Sequence, residues 1–286
     1  MYRLILLLVT LVWSLQAPAL EVRDGSGRTI ELAQPAARIV ALAPDLVENL
    51  YAIGAGETLV GRIAHADYPA AARRAALVGD YQSFDAETIL ALRPDLVLAW
   101  QEGNPPERLR QLEALGLVVV RLSSLSIEAI PANLRLLGRL TGRDAEARRQ
   151  AETFTHRLQQ LAPAPGADRP LLFYQLWPEP LLTVSDGTLI GQAIRFCGAD
   201  NPFGARPELA PQLSVEAVIA AAPDLIVGTD EAGDQWRARW LHWPGIPAVA
   251  QQRLVTLPAD LLHRATPRFL DGLAALCDAV QAARAE

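Results

Sequence analysis

The sequence predicts an α/β protein: two similar α/β lobes joined by one long connector helix, with a ligand cleft between the lobes. Three observations predict it. Short apolar runs of strand length alternate with helix-period segments along most of the chain, the rhythm of parallel sheets covered by helices. The stretch Asp144–Leu161 contains neither Gly nor Pro and interrupts that rhythm near mid-chain. Residues 84–98 are echoed 129 residues later by residues 213–227. That period is too long for a solenoid and suits a duplicated lobe.

The N-terminus comes first. Arg3 precedes an almost unbroken apolar run over residues 4–13, and Ala17-Pro18-Ala19 supplies the small residues of a cleavage site. This is the layout of a signal peptide over residues 1–19, too short and wrongly flanked for a membrane span. No Cys lies near the cleavage site, which argues against a lipid anchor. No later run reaches about 18 apolar residues, so no membrane insertion is expected of the mature chain.

The first lobe is expected over residues 20–141. A strand at 38–42 leads into a helix over 44–53 that Gly54 and Gly56 stop. Strands at 96–99 and 118–122 are continuous apolar runs, as in sheets covered on both faces. A helix over 105–115 lies between them and ends at Gly116. The connector is expected over residues 142–165, with Asp144 as a helix cap and a break at Pro163-Ala-Pro165-Gly166. Its 18 helical residues would span roughly 27 Å. The second lobe, 166–286, carries strand candidates at 171–175, 182–184, 225–228 and 254–257, and helices at 190–197, 215–221 and 266–283. Each copy of the internal echo reads as an acidic-start helix, a Pro-Asp turn and a buried strand. Two lobes leave an interface between them, a preferred place for small ligands.

Composition excludes several functions. A mature chain of about 265 residues, with 51% hydrophobic residues overall, can fill two cores. A net charge of −6 leaves no footprint for nucleic acid or an anionic membrane. All 26 basic residues are Arg, so neither a Walker A loop nor a Schiff-base lysine can exist. No Gly-x-Ser-x-Gly elbow, His-Glu-x-x-His motif or Gly-rich phosphate loop occurs. No enzymatic activity and no cofactor are expected, and a secreted enzyme is kept as the remote alternative. His65, His156, His242 and His263 lack metal-ligand spacing, so no metal site is expected. Cys197 and Cys277 form a lone pair, which an oxidising compartment favours as a bridge over two free thiols.

An export signal, two α/β lobes and one mid-chain helix together resemble the substrate-binding proteins of ABC importers. The subgroup is the one with a rigid helical connector, which serves siderophores, haem, metals and cobalamin. The general markers are Arg38-Ile-Val-Ala-Leu42, Gly54-Ala-Gly56 followed by Leu59-Val60-Gly61, and the two Pro-Asp-Leu segments. Within the subgroup the chain is most similar to its cobalamin-binding family. The shared segments are 84–104, His65-Ala-Asp67-Tyr68-Pro69, Phe196-Cys197-Gly198 with Asn201-Pro-Phe203, and Arg264-Ala-Thr-Pro267-Arg268.

The resemblance implies a periplasmic, monomeric protein that captures a corrinoid as cargo and hands it to a membrane permease. It implies a Cys197–Cys277 disulfide. It places Tyr68, Tyr81, Trp100 and Trp177 around the corrin ring and its nucleotide base, with Asp260 and Arg264 as polar contacts from the second lobe. Rigid aromatic surface suits a large, mostly apolar, amide-fringed disc. Trp100 and Trp177 each follow a strand, where open α/β sheets bind ligands, although aromatics in such places also serve as core. The resemblance further implies that Glu87 and Glu216 dock the two lobes onto arginines of the permease. The internal echo supports this independently, because it puts one Glu at the same point of each lobe. The chain departs from the family where Leu209-Ala210-Pro211-Gln212 replaces a Pro-Trp-Pro-Gln segment, which removes one aromatic contact. A ferric-siderophore or haem cargo is the alternative, with Arg264 and Arg268 as anion contacts.

Overall fold

Continuous apolar runs become parallel strands, and each lobe is wrapped around one sheet. The computed structural model describes residues 20–161, 168–233 and 235–284. The signal peptide expected at 1–19 and the Pro-rich break after the connector lie outside the described residues.

The first lobe opens with an antiparallel hairpin, β1 (Leu20–Arg23) and β2 (Thr29–Leu32). There follow β3 (Ile39–Ala41), α1 (Pro44–Ala52), β4 (Leu59–Arg62), β5 (Ala76–Leu77), α2 (Ala86–Ala91), β6 (Leu96–Trp100), α3 (Pro106–Ala114) and β7 (Val119–Leu122). The sheet order is β5-β4-β3-β6-β7, and every pairing in it is parallel. From β3 the chain builds outward through β4 and β5, then returns to β6 on the other side. The β3–β6 boundary is therefore the topological switch point, where open α/β sheets leave a crevice at the strands' carboxyl ends. β3 is wholly buried, as is β6 up to Ala99, which is why both read as unbroken apolar runs.

Two helices follow: α4 (Ala129–Thr141), the last of the first lobe, and the connector α5 (Asp144–Leu161). The predicted connector is α5, but Asp144 is its first helical residue rather than its cap. Gly142 ends α4 in the left-handed region at φ 68°, a conformation that costs Gly little. Gly138 lies so close to the Ala147 side chain that a methyl group there would overlap it, so the two helices pack tightly. Both helices serve both cores. Ile127 and Ile130, at and just before the start of α4, pack with Phe154 of α5 in the second-lobe core. Leu134, Leu137 and Leu140 of α4 and Ala147 and Ala151 of α5 pack in the first.

The second lobe contains β8 (Leu172–Tyr174), β9 (Trp177–Pro178), β10 (Leu181–Leu182), α6 (Leu189–Phe196), α7 (Val215–Ala221), β11 (Leu225–Thr229), α8 (Gln235–Trp240), α9 (Pro247–Ala250), β12 (Leu254–Leu257), α10 (Ala259–Leu262) and α11 (Phe269–Arg284). Its sheet is parallel, in the order β12-β11-β8. The strand expected at 182–184 ends at Leu182, because Thr183 turns its N–H to the Pro211 carbonyl and leaves the β9–β10 pairing. The last helix starts at Phe269 rather than 266, and residues 264–268 form a loop instead. In the echoed segments, Asp85 accepts from the Glu87 and Thr88 N–H groups at the head of α2, and Ser214 accepts from Ala217 N–H at the head of α7. These caps satisfy N–H groups that have no partner within the helix.

Cys197, at the end of α6, is bonded to Cys277 of α11 across 80 residues, and both are buried. Replacing both by Ser is expected to lower unfolding stability by about 4.5 kcal/mol, the chain-entropy value for a loop of this length. Urea unfolding of oxidised wild type and the double variant checks it; equal midpoints would contradict it.

Candidate functional site

The site grows from the switch point of the first sheet. α1 starts directly after β3, and its polar residues Asp45, Glu48 and Asn49 fall at i, i+3 and i+4, so they share one helix face. All three are buried, and two of them reach the second lobe. Asn49 donates from Nδ2 to the Ala265 carbonyl at 2.9 Å. The Glu48 carboxylate accepts from Arg264 Nη1 at 2.7 Å, and from Arg268 Nε at 2.9 Å and Nη2 at 2.8 Å.

The two arginines extend the cluster in different directions. Arg264 pairs with Asp260 at 2.5 Å and donates to the His65 carbonyl at 3.2 Å. His65 follows β4 and is held at φ 62°, an uncommon conformation for a residue with a side chain. Arg268 lays its guanidinium over the Tyr68 ring, 3.6 Å from the centroid, a cation–π geometry. Burial disfavours its charge, yet the Glu48 hydrogen bonds and charge outweigh that and hold its pKa above the ordinary arginine value.

At the end of β6, Trp100 and Tyr81 form a tilted aromatic pair with centroids 6.2 Å apart. Buried Asn104 positions them. Its Nδ2 donates to the carbonyls of Leu42 and Tyr81, and its Oδ1 accepts from the Trp100 N–H. Gly103 lies against the Trp100 ring, where any side chain would overlap it. The arrangement ties the ends of β3 and β6 to one aromatic surface.

On the second-lobe side, a hollow of about 580 Å³ is lined by Asp230, Glu231, Asp260 and Arg268 among others. The buried Tyr174 hydroxyl lies 3.0 Å from His263 Nε2. Burial, with Glu231 and Asp230 adding to it, pushes the Tyr174 phenol well above its usual range. The His263 ring, 3.7 Å from Glu231, holds that carboxyl below the ordinary glutamate value against the opposing effect of burial.

The structure sorts most of the predicted contact residues into two groups, Tyr81 with Trp100, and Tyr68, Asp260 and Arg264 around the Glu48–Arg268 contact. Tyr68 and Tyr81 are 46% and 43% exposed, so each keeps ring surface free for a ligand. Asp260 and Arg264 are paired with each other, and Arg264 is also committed to Glu48. Trp177 is exposed in β9, with its indole N–H donating to the Glu179 carbonyl, and no ring pair joins it to the other aromatics among the described residues. Glu87 and Glu216 are exposed at the second position of α2 and α7. Sequence reasoning missed Glu48, Asn49 and Asn104 and left Arg268 as a rival anion contact. The available signal was the Asp45, Glu48, Asn49 stripe within an otherwise apolar helix directly after a buried strand.

The chain belongs to the periplasmic binding protein family, whose profile matches residues 39–261; this is a family of substrate-binding proteins with a non-enzymatic role in transport. Among its relatives, a vitamin B12-binding protein of Vibrio cholerae is 34% identical over 248 residues, 85% of this chain and 88% of that one. The crystal structure of the periplasmic vitamin B12-binding protein of Vibrio cholerae matches with a TM-score of 0.81 at 33% identity, covering 88% of this chain and 99% of that one. A periplasmic haem-binding protein from Pseudomonas aeruginosa matches with a TM-score of 0.75 at 32% identity, over 86% and 92% of the two chains.

Asp45 carries a pH signature. Burial pushes its carboxyl up to about 6, against the lowering effect of the Ser124 hydroxyl that donates to it at 2.8 Å. Its folded pKa therefore exceeds the unfolded value, so the folded state binds the proton more tightly. The stabilisation is complete below the unfolded value of 3.8 and is lost as pH rises through about 6. Asp45→Asn is expected to remove this contribution, on the order of 2–3 kcal/mol. The stability difference between variant and wild type, measured by urea unfolding from pH 4 to 7, should rise in the variant's favour across that window. A pH-independent difference would contradict it.

Proposed function

We propose that the protein captures a corrinoid, with cobalamin the foremost candidate, in the periplasm and delivers it to the permease of an ABC importer. The observation that carries this reading is the aromatic surface of Tyr81 and Trp100 at the switch point of the first sheet, with the half-exposed Tyr68 ring held on the Arg268 guanidinium. The likeness to vitamin B12-binding relatives supports it. In this reading Tyr68, Tyr81, Trp100 and Trp177 contact the corrin and its base, and Asp260 and Arg264 contribute polar contacts. No cofactor is involved; the corrinoid is cargo. The export signal at 1–19 supports the periplasmic assignment. The working unit is a monomer of two lobes, 20–141 and 166–286, joined across 142–165.

Delivery needs a surface that the permease can read on both lobes. Glu87 and Glu216 supply matching exposed carboxylates at equivalent caps, and paired Glu–Arg contacts would set orientation and association rate. Near the head of α7, a hydrogen bond from the Glu216 backbone, aided by one from the Ser214 side chain, holds the Glu216 carboxyl below its usual range.

Calorimetric titration with cyanocobalamin is expected to give saturable one-to-one binding, and Trp100→Ala is expected to weaken it about tenfold or more. No binding at tens of micromolar would overturn the corrinoid reading, and saturation by haemin instead would favour the haem alternative. Glu87→Ala with Glu216→Ala is expected to leave cyanocobalamin affinity unchanged while abolishing stimulated uptake in vesicles carrying the permease. Unaltered uptake would remove the docking role.

A further inference from the structure

Two arginines in a ligand cleft would ordinarily suit an anionic cargo. In this cleft neither is available as a free charge. Arg264 and Arg268 both donate to Glu48, whose side chain is only 3% exposed, and Arg264 also pairs with Asp260. Two carboxylates therefore face two guanidiniums, and the cluster is neutral. The adjoining hollow shares Asp260 and Arg268 with this cluster and adds Asp230 and Glu231, so cluster and hollow together carry four carboxylates against two guanidiniums. A buried charge acts strongly because water and salt screen it poorly. Glu48 comes from the first lobe, while both arginines come from the loop before α11. The positive charge is thus cancelled across the junction of the two lobes.

We propose that Glu48 is a specificity-determining residue: by neutralising Arg264 and Arg268 it excludes anionic tetrapyrroles and anionic ferric siderophores and leaves the cleft to uncharged cargo. The inference rests on the corrinoid reading and assigns the selectivity of that same site. It works by making the wrong ligand meet an acidic surface with no unpaired cation, rather than by adding a contact to the right one. Glu48 touches no ligand in this scheme, and its effect passes through the two arginines.

The test compares wild type with Glu48→Gln against two ligands. Cyanocobalamin carries charges that cancel, and haemin carries two propionates. Glu48→Gln is expected to bind haemin about tenfold or more tightly than wild type, with the gain shrinking at high salt, while cyanocobalamin affinity moves only a few-fold. Glu48→Asp keeps the charge and is expected to keep wild-type selectivity. Equal weakening of both ligands in Glu48→Gln would overturn the proposal, since Glu48 would then only hold the cleft's shape. If Glu48→Gln does not fold, wild type itself decides the matter: haemin bound as tightly as cyanocobalamin would show that the Glu48 pairing excludes no anion and would overturn the proposal. Failure of the corrinoid reading shows separately, as wild type that ignores cyanocobalamin, and the haemin comparison between wild type and variant still tests Glu48.

Discussion

Glu48 carries a negative charge out of the first lobe and into contact with Arg264 and Arg268 of the second. A carboxylate this buried cannot remain unpaired, because removing one partner of such a pair is far costlier than the pair's net contribution to stability. The contact therefore sets geometry more than it adds stability. It fixes the loop 264–268 against α1, and Asn49 reinforces it through the Ala265 carbonyl. That loop in turn stacks Arg268 on Tyr68 and turns Arg264 toward Asp260 and the His65 carbonyl. One residue of α1 thereby organises contacts on both sides of the junction.

The connector α5, packed on α4, imposes the second constraint. α4 and α5 pack closely at Gly138 and Ala147, and each contributes side chains to both cores. Relative motion of the lobes would therefore strain this packed helix pair. Arg157 of α5 also pairs with Asp271 of α11, an exposed contact that adds little stability of its own. Within this frame the aromatic surface is held by local means, with Asn104 tying Trp100 to the end of β3 and Gly103 leaving room for its ring.

Much of the fold was legible because its signals are local. Asp144–Leu161, Val215–Ala221 and Leu254–Leu257 have the same bounds in sequence and structure, since caps, breakers and unbroken apolar runs act over a few residues. α4 escaped notice because Pro131 and Gly138 lie within it and its apolar residues face two cores, which blurs a single-face pattern. The hairpin of β1 and β2 and the two-residue strands are too short to carry a period. Tyr81 with Trp100 was found as part of an aromatic set, although their 6.2 Å pairing depends on Asn104, whose role no spacing announces.

The sequence by itself determined the class of the protein: two α/β lobes, a long helix between them, and a cysteine pair suited to an oxidising compartment. Periodicity, capping and composition suffice for these because they depend on neighbours along the chain. Only the tertiary structure decided which charges meet. Glu48 lies 216 residues from Arg264 and 220 from Arg268, and a buried charge takes its partner from whatever the fold brings within reach. The pairing turned two arginines that read as anion contacts into the neutralised junction of the two lobes.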